Sequence, residues 1–452
     1  MSRRAAFLKQ IATGVPGLDE ILGGGLPEQG LYLVQGSAGV GKTTLALQFL
    51  LEGIRKGERA LYIALSETRE EICAVAAAHG WPVDALEVYD LAAAEQRTHN
   101  EGEQTMFHPA EVELEETTRP LLEEIQRVQP ARLVIDSLSE IRLLARDTLR
   151  YRRQLVAMKQ LFARIGATAL LVDERLAANG DNILLTLAHG VIVLEKQTPL
   201  YGSTRRRLSV EKLRAVRYSE GFHDYRIATG GIEVFPRLVA AEHDRTFAAE
   251  TVSSGVPELD ALLDGGLDRG TSTVLMGSAG TGKSTLATQY AVAAAARGER
   301  AAVYTFDESE AMWAARAASL GMKPHEHLAA GRIRITRIDP AELTPGALAS
   351  AMRVAVERDG VQLVVIDSIN GYLQSVPEEN YLLLHLHELL TYLGQRGVTT
   401  LLVMAQHGML GHSMHSPVDV SYIADTVILQ RYFEAAGEVR QAISVVKKRS
   451  GR

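Results

Sequence analysis

Two glycine-rich segments of this sequence combine the residue types and the spacing that bind nucleotide phosphates. Both match the pattern G-x-x-x-x-G-K-[ST], in which backbone N–H groups converge on phosphate oxygens, a lysine reaches the β- and γ-phosphates, and a hydroxyl group ligates Mg²⁺. The residues of the first phosphate loop are Gly36, Ser37, Ala38, Gly39, Val40, Gly41, Lys42 and Thr43, and those of the second are Gly277, Ser278, Ala279, Gly280, Thr281, Gly282, Lys283 and Ser284. These loops predict that the protein binds ATP and Mg²⁺ at two sites.

Each phosphate loop is followed by an aspartate that can complete a magnesium site. Asp136 and Asp367 each end a run of apolar residues and precede a serine. A carboxylate at the end of a strand beside a phosphate loop holds the Mg²⁺ shell in nucleotide sites of this class. We therefore predict Thr43 and Asp136 as metal ligands in the first site, and Ser284 and Asp367 in the second.

Hydrolysis also requires a group that orients or deprotonates the attacking water. The candidates are carboxylates that follow the next predicted strand of each copy, Glu67 in the first and Asp307 and Glu308 in the second. Acidic residues are also favoured at helix N-termini by the helix dipole. Their position therefore leaves a purely structural role open.

The elements that position these residues belong to a tandem repeat. The second loop lies 241 positions after the first (Gly36 to Gly277), and the same spacing separates the Gly-Val-Pro segments at Gly14 and Gly255. In each copy short apolar runs alternate with helical patterns, which predicts an α/β fold with a mostly parallel sheet flanked by helices. We predict domains at residues 1–231 and 252–452, a linker at 232–251, and an insertion of about ten residues within 95–116 of the first copy.

The composition is that of an ordinary folded, soluble protein. Hydrophobic residues make up 46% of the chain, charged residues 23% and aromatic residues 6%, which argues against disordered, collagen-like and coiled-coil proteins. The formal net charge of -7 provides no general attraction for a nucleic acid. The single cysteine, Cys73, excludes an internal disulfide and a four-cysteine metal site. We expect a cytoplasmic protein that neither spans a membrane nor binds nucleic acid, and we interpret the basic run at 205–207 as protection of a sheet edge.

Taken together, the motifs resemble those of the KaiC family of RecA-like ATPases, from about Ile11 to Arg449. The resemblance is carried by the paired Gly-Val-Pro openings, both phosphate loops, both aspartate-ending strands and the closing stretch at 424–449. It implies two RecA-like domains per chain, a two-tiered ring of six subunits, and ATP at the subunit interfaces.

The resemblance further assigns catalytic roles. The family's K-x-R at the end of each domain corresponds to Lys212 with Arg214 and to Lys447 with Arg449, and these residues should reach the γ-phosphate of the neighbouring subunit. A solvated basic strand end is the alternative interpretation. The family's paired catalytic glutamates, of which the first usually acts as the base, correspond to Ser66-Glu67 and Asp307-Glu308.

A phosphorylation site is also implied. Clock-type members phosphorylate an adjacent serine–threonine pair shortly before the closing strand, and this pair corresponds to Ser421 and Tyr422. Because the serine is retained, we predict serine autokinase activity in the second domain. Clock-type members also continue beyond the position of Arg452 into a tail that recruits KaiA, so we expect a KaiB-like or two-component signalling protein as partner and not KaiA.

Two other functions share these motifs. A RecA- or RadA-like DNA-dependent motor has the same core fold, because fold alone does not determine function, but the acidic net charge and the tandem duplication argue against it. A ring that binds ATP for stability with little turnover is the second alternative, and Ser66 makes the first domain a candidate for that role. The interpretation that we favour is a KaiC-like ATPase acting as a timing or signalling switch.

Overall fold

The computed structural model describes residues 9–91, 93, 110–145, 147–175, 182–242, 246–374, 381–406 and 423–449. The predicted phosphate acceptor Ser421 lies outside these residues, as does most of the predicted insertion at 95–116. The chain divides into two compact units, Met1–Leu200 with Thr204–Arg237 and Tyr201–Ser203 with Leu238–Arg452.

Within its described residues, the first unit contains a nine-stranded sheet and a two-stranded ribbon. The strands are β1 (Gln10–Ile11), β2 (Leu26–Pro27), β3 (Leu31–Gly36), β4 (Ala60–Ala64), β5 (Glu87–Asp90), β6 (Arg132–Asp136), β7 (Thr168–Glu174), β8 (Gly190–Gln197), β9 (Arg205–Leu213), β10 (Phe222–Ala228) and β11 (Gly231–Phe235). The order across the large sheet is β11-β10-β9-β8-β3-β7-β6-β4-β5. The strands from β8 to β5 run parallel, and β9, β10 and β11 continue antiparallel.

Helices cover both faces of this sheet. They are α1 (Leu18–Ile21), α2 (Lys42–Arg55), α3 (Arg69–Ala78), α4 (Ala110–Val128), α5 (Leu138–Ala145), α6 (Thr148–Ile165) and α7 (Asn182–Leu187). Phe49 of α2 and Ile72 of α3 are buried in the core on one face, and Ile141 of α5 and Leu155 of α6 are buried in the core on the other. Each such side chain contributes about 1.5–3 kcal/mol relative to an exposed position, so the sheet is stabilised from both sides.

The second unit repeats this plan. Its strands are β12 (Thr251–Val252), β13 (Leu267–Asp268), β14 (Ser272–Gly277), β15 (Arg300–Thr305), β16 (Ile333–Arg337), β17 (Val361–Asp367), β18 (Thr399–Ala405), β19 (Thr426–Ala435) and β20 (Glu438–Lys448). Its helices are α8 (Pro257–Leu262), α9 (Lys283–Ala296), α10 (Glu310–Ser319), α11 (Pro324–Ala329), α12 (Pro345–Glu357), α13 (Ile369–Gln374) and α14 (Leu382–Gln395), with a short 3₁₀ turn at Ala240–Glu242. The large sheet has the order β16-β15-β17-β18-β14-β19-β20. All of its neighbouring strands are parallel except β19 and β20.

The predicted α/β fold with mostly parallel sheets is therefore confirmed in both units. Helices α2 and α9 have the same length of 14 residues, and each begins at the lysine of its phosphate loop. Helices α3 and α10 also have equal lengths, of 10 residues. They begin at Arg69 and Glu310, the same distance apart in the sequence as the two phosphate loops. Because these elements coincide, residues of the two units can be compared position by position. No helix in the described part of the chain combines the length and the apolar character that crossing a membrane requires.

The hairpin of β10 and β11 packs against the first phosphate loop. The hydroxyl of Tyr225 donates a hydrogen bond of 2.7 Å to the carbonyl oxygen of Val40. A Cβ atom at Gly41 would lie 2.7 Å from the side chain of Ile227, and the φ of Gly41 is 99°, so only glycine suits this position. The linker predicted at 232–251 thus begins inside β11, a strand that supports the loop.

Candidate active sites

The first phosphate loop follows β3 at the centre of its sheet, where the carboxyl ends of parallel strands meet. The Nζ of Lys42 donates hydrogen bonds to the carbonyl oxygens of Gly36 (2.8 Å) and Ser37 (3.0 Å). Burial lowers the pKa of Lys42, and nearby carboxylates, Asp136 first among them, oppose that shift. The lysine is therefore held inside the loop, at the place where phosphate oxygens would bind.

The two predicted metal ligands of the first site are in contact. The hydroxyl of Thr43 donates to Oδ2 of Asp136 at 3.1 Å, and the hydroxyl of Tyr62 donates to the same oxygen at 2.6 Å. Burial raises the pKa of Asp136, while these hydrogen bonds and Lys42 act in the opposite direction. Our sequence reasoning missed Tyr62, although a tyrosine in a buried strand signals a hydroxyl that needs a partner.

The donors in this site fit Mg²⁺. A threonine hydroxyl and a carboxylate offer the oxygen atoms that this hard cation prefers. Among the described residues, no group of three or more His, Cys, Asp or Glu side chains is arranged to hold a metal ion. Mg²⁺ usually keeps several waters and is held by one or two carboxylates together with phosphate oxygens.

Glu67 lies beside the first site. It follows β4 and directly precedes Thr68, whose side chain caps α3 together with Glu71. Oε2 of Glu67 is buried and has no hydrogen-bond partner among the described residues. Burial raises the pKa of Glu67, Asp136 adds to this effect, and Lys42 acts against it. Among the described residues, Glu67 thus keeps one oxygen without a hydrogen-bond partner and lies close enough to Asp136 and Lys42 to interact with them electrostatically.

The second site repeats the loop and the aspartate. The Nζ of Lys283 donates to the carbonyl oxygen of Ser278 at 2.6 Å. Burial raises the pKa of Asp367, and a hydrogen bond from the side chain of Ser284 lowers it. The predicted metal ligands are therefore in contact here too. Val303 occupies the position that corresponds to Tyr62, so the tyrosine that contacts the aspartate of the first site has no counterpart at that position of the second unit.

The two carboxylates beside the second site have different surroundings. Asp307 is exposed. Glu308 is partly buried and forms an ion pair of 2.8 Å with Arg316 of α10. Both carboxylates act to raise the pKa of Asp367, after the effect of burial. Sequence reasoning did not identify Arg316. It lies on α10, eight positions after Glu308, and nothing in the local sequence distinguishes it from a surface arginine.

The predicted K-x-R residues of the first unit lie away from its own loop. Val191 of β8 pairs with Leu33 on one side and with Lys212 on the other. Leu33 is three residues before Gly36, which places Lys212 roughly 10 Å along the sheet from the loop at about 3.3 Å per residue. The side chains of Lys212 and Arg214 both donate to carbonyl oxygens at the end of α7, beyond the amino end of β3.

The second unit has the same arrangement. Val427 of β19 pairs with Val274 and with Lys447. The Nζ of Lys447 donates to the carbonyl oxygen of Ala424 at 2.7 Å, and Arg449 forms an ion pair of 2.8 Å with Asp425. In each unit, therefore, the basic pair and the phosphate loop lie at opposite ends of the same strands.

The basic run at 205–207 does not protect a sheet edge. Strand β9 lies between β8 and β10, and Arg207 pairs with Glu195 on one side and Asp224 on the other. The guanidinium of Arg207 also lies 6.0 Å from the centre of the Phe222 ring. That interpretation was wrong because the first sheet continues by two more strands.

Comparison with known proteins identifies relatives along the whole chain. The family model for the KaiC ATPase matches residues 11–239 and 252–452. The chain is 25% identical to the circadian clock protein KaiC3 of Synechocystis sp., over 98% of this chain and 88% of that protein. It is 27% identical to the circadian clock oscillator protein KaiC of Synechococcus elongatus, over 98% of this chain and 85% of that protein. The likeness thus includes both units and both phosphate loops.

Proposed function

The chain belongs to the KaiC family of ATPases, and we propose that it is a magnesium-dependent ATPase with one hydrolytic site in each unit. The observation that carries this proposal is the repeated arrangement at the ends of β3 and β14. In both, a hydroxyl residue directly after the loop lysine donates a hydrogen bond to an aspartate, which is buried in the first site and partly buried in the second. Release of phosphate from ATP, lost when both loop lysines are replaced, is the measurement that tests it.

The residues of the first site would divide the work of hydrolysis. The loop N–H groups and Lys42 would hold the phosphates. Thr43 and Asp136 would hold Mg²⁺, which neutralises the negative charge that develops on the phosphate oxygens. Glu67 accepts a hydrogen bond from the attacking water and aligns it with the γ-phosphorus. Tyr62 keeps the carboxylate of Asp136 in position through its hydrogen bond.

We propose that the basic pairs act on ATP bound by another copy of the chain. Lys212 and Arg214 extend beyond the end of the sheet opposite their own loop, which supports a contact in trans. Head-to-tail contacts that close into a ring give every subunit the same interface. We propose six copies, the number implied by the family resemblance, with Lys447 and Arg449 serving the second unit in the same way.

The pKa of Glu67 predicts how turnover by the first unit depends on pH. Only the ionised carboxylate accepts the proton of water, and burial raises its pKa. Turnover by the first unit should therefore fall as the pH drops through the pKa of Glu67, which lies above the usual pKa of a glutamate. The measurement is kcat against pH in Lys283→Ala, in which the first site alone turns over. Glu67→Gln should lower kcat by about 10²–10⁴-fold and remove this acid limb, whereas a limb that persists in Glu67→Gln contradicts the assignment.

We further propose that the second unit transfers phosphate to Ser421 and that the modified ring signals to a KaiB-like or two-component protein. A phosphoserine adds a charge of about −2, which would change the stability of any interface between copies that lies close to it. Labelled γ-phosphate should remain on the parent protein and be lost in Ser421→Ala, with Ser416→Ala as the control. Equal labelling of Ser421→Ala and parent would contradict the acceptor assignment and leave the ATPase proposal intact.

A further inference from the structure

The ion pair between Glu308 and Arg316 occupies both oxygens of the glutamate. The Nε of Arg316 donates to Oε1 at 2.9 Å and the Nη2 donates to Oε2 at 2.8 Å. Bidentate, charge-assisted pairs of this kind are roughly twice as strong as neutral hydrogen bonds. Each oxygen of Glu308 therefore already accepts a hydrogen bond from Arg316, and the carboxylate is held against that side chain.

The surroundings of this pair keep it in place. The side chains of Arg316 and Glu308 are only 24% and 28% exposed, so separating them would leave a partly desolvated charge without compensation. Arg316 also approaches Thr288 of α9, at 3.4 Å between Nη2 and Oγ1. The backbone N–H of Glu308 donates to the hydroxyl of Thr305. The pair is thus anchored on the helix of the phosphate loop and on β15.

The described residues of the first unit form no such pair. Val75 stands where the second unit has Arg316, and Leu47 stands where it has Thr288. The helices that carry these residues have equal lengths in the two units, so the positions correspond. Glu67, the counterpart of Glu308, keeps a buried oxygen that lacks a partner within the described part of the chain.

We propose that Arg316 is a positioning residue that withdraws Glu308 from the attacking water and leaves that role to Asp307 in the second unit. In the first unit, the valine at position 75 leaves Glu67 free for the same role. This inference rests on the proposed ATPase function. The water oxygen bonds to the γ-phosphorus as the bond to the β,γ-bridging oxygen breaks. The carboxylate takes the water proton and returns it to solvent, so that ATP and water yield ADP and phosphate.

The test compares the two carboxylates in a Lys42→Ala background, in which the second site alone turns over. Asp307→Asn should lower kcat by about 10²–10⁴-fold, at least about tenfold more than Glu308→Gln does. Adding Arg316→Val to Asp307→Asn should release Glu308 and raise kcat at least about tenfold, with the KM for ATP unchanged. Met312→Val, at an exposed position of the same helix, is the control and should not raise it.

The outcomes separate this inference from the proposed function. If Glu308→Gln loses as much as Asp307→Asn, or if Arg316→Val fails to restore turnover, the assignment of the carboxylates is wrong while the ATPase proposal stands. If the Lys42→Ala background itself shows no turnover, hydrolysis by the second unit is excluded, and this inference is excluded with it. A merely structural role for Arg316 predicts a further loss in the double variant and not a gain.

The reciprocal change tests the same idea in the first unit. In a Lys283→Ala background, Val75→Arg should pair with Glu67, lower kcat at least about tenfold, and move the acid limb to lower pH because a nearby cation favours the ionised carboxylate. Val75→Met is the control, since it adds length without charge. Equal rates and equal pH profiles for Val75→Arg and Val75→Met would overturn the inference.

Discussion

Replacement of both Lys42 and Lys283 by alanine is expected to reduce ATP turnover to background, while each single variant keeps the turnover of the other unit. Each Nζ is held by carbonyl oxygens inside its own loop and would bind the phosphates at that place. Loss of one preorganised donor at a site where negative charge develops costs about 10²–10³ in kcat, and each loop lysine would be such a donor. The measurement is release of labelled γ-phosphate, together with the label retained on protein.

The matched control is Lys56→Ala. Lys42 begins helix α2 and Lys56 directly follows the end of that helix, where it pairs with Glu52 near the surface. The control variant should turn over ATP like the parent. Parent-like turnover by the double lysine variant would contradict the ATPase proposal. If Lys42→Ala alone changes assembly but not turnover, the first unit binds ATP as a scaffold, as the alternative of a ring with little turnover requires.

Replacement of Arg214 by alanine is expected to cost about 10³–10⁵ in kcat at the first site, the range of an arginine that acts in trans on a phosphate. ATP binding should change much less, because the loop, Thr43 and Asp136 remain. The measurement is kcat together with nucleotide affinity in a Lys283→Ala background. Arg217→Ala, at an exposed position nearby, is the matched control.

Mixing two inactive variants tests whether Arg214 acts on ATP bound by another copy of the chain. Glu67→Gln lacks the carboxylate but keeps Arg214, and Arg214→Ala has the opposite defect. In randomly mixed head-to-tail rings, about a quarter of the interfaces regain both residues, so about a quarter of the parent turnover should return. Turnover that stays at the average of the two separate variants would show that Arg214 serves its own subunit. The same design with Arg449→Ala and Asp307→Asn tests the second unit.

The sequence alone was enough to predict the α/β fold of both units, now confirmed, and to locate both phosphate loops. Phosphate binding by this route needs one contiguous loop between a strand and a helix, and its repetition at a constant spacing reinforced each assignment. The aspartates Asp136 and Asp367 were predicted as metal ligands for a similar reason, because the end of an apolar strand is visible in the local pattern. The tandem family likeness followed from these local motifs.

Tertiary structure decided which of these residues touch. Tyr62 and Asp136 lie 74 residues apart and meet because β4 and β6 are neighbours in the sheet. Tyr225 and Val40 lie 185 residues apart and meet only because the sheet continues past β9 to β10, the strand that carries Tyr225. Strand order and helix orientation depend on the packing of the whole unit, so these pairings leave no signal in a local pattern. For the same reason the sequence shows Glu67 and Glu308 as equivalent, whereas packing pairs Glu308 with Arg316 and leaves Oε2 of Glu67 without a hydrogen-bond partner among the described residues.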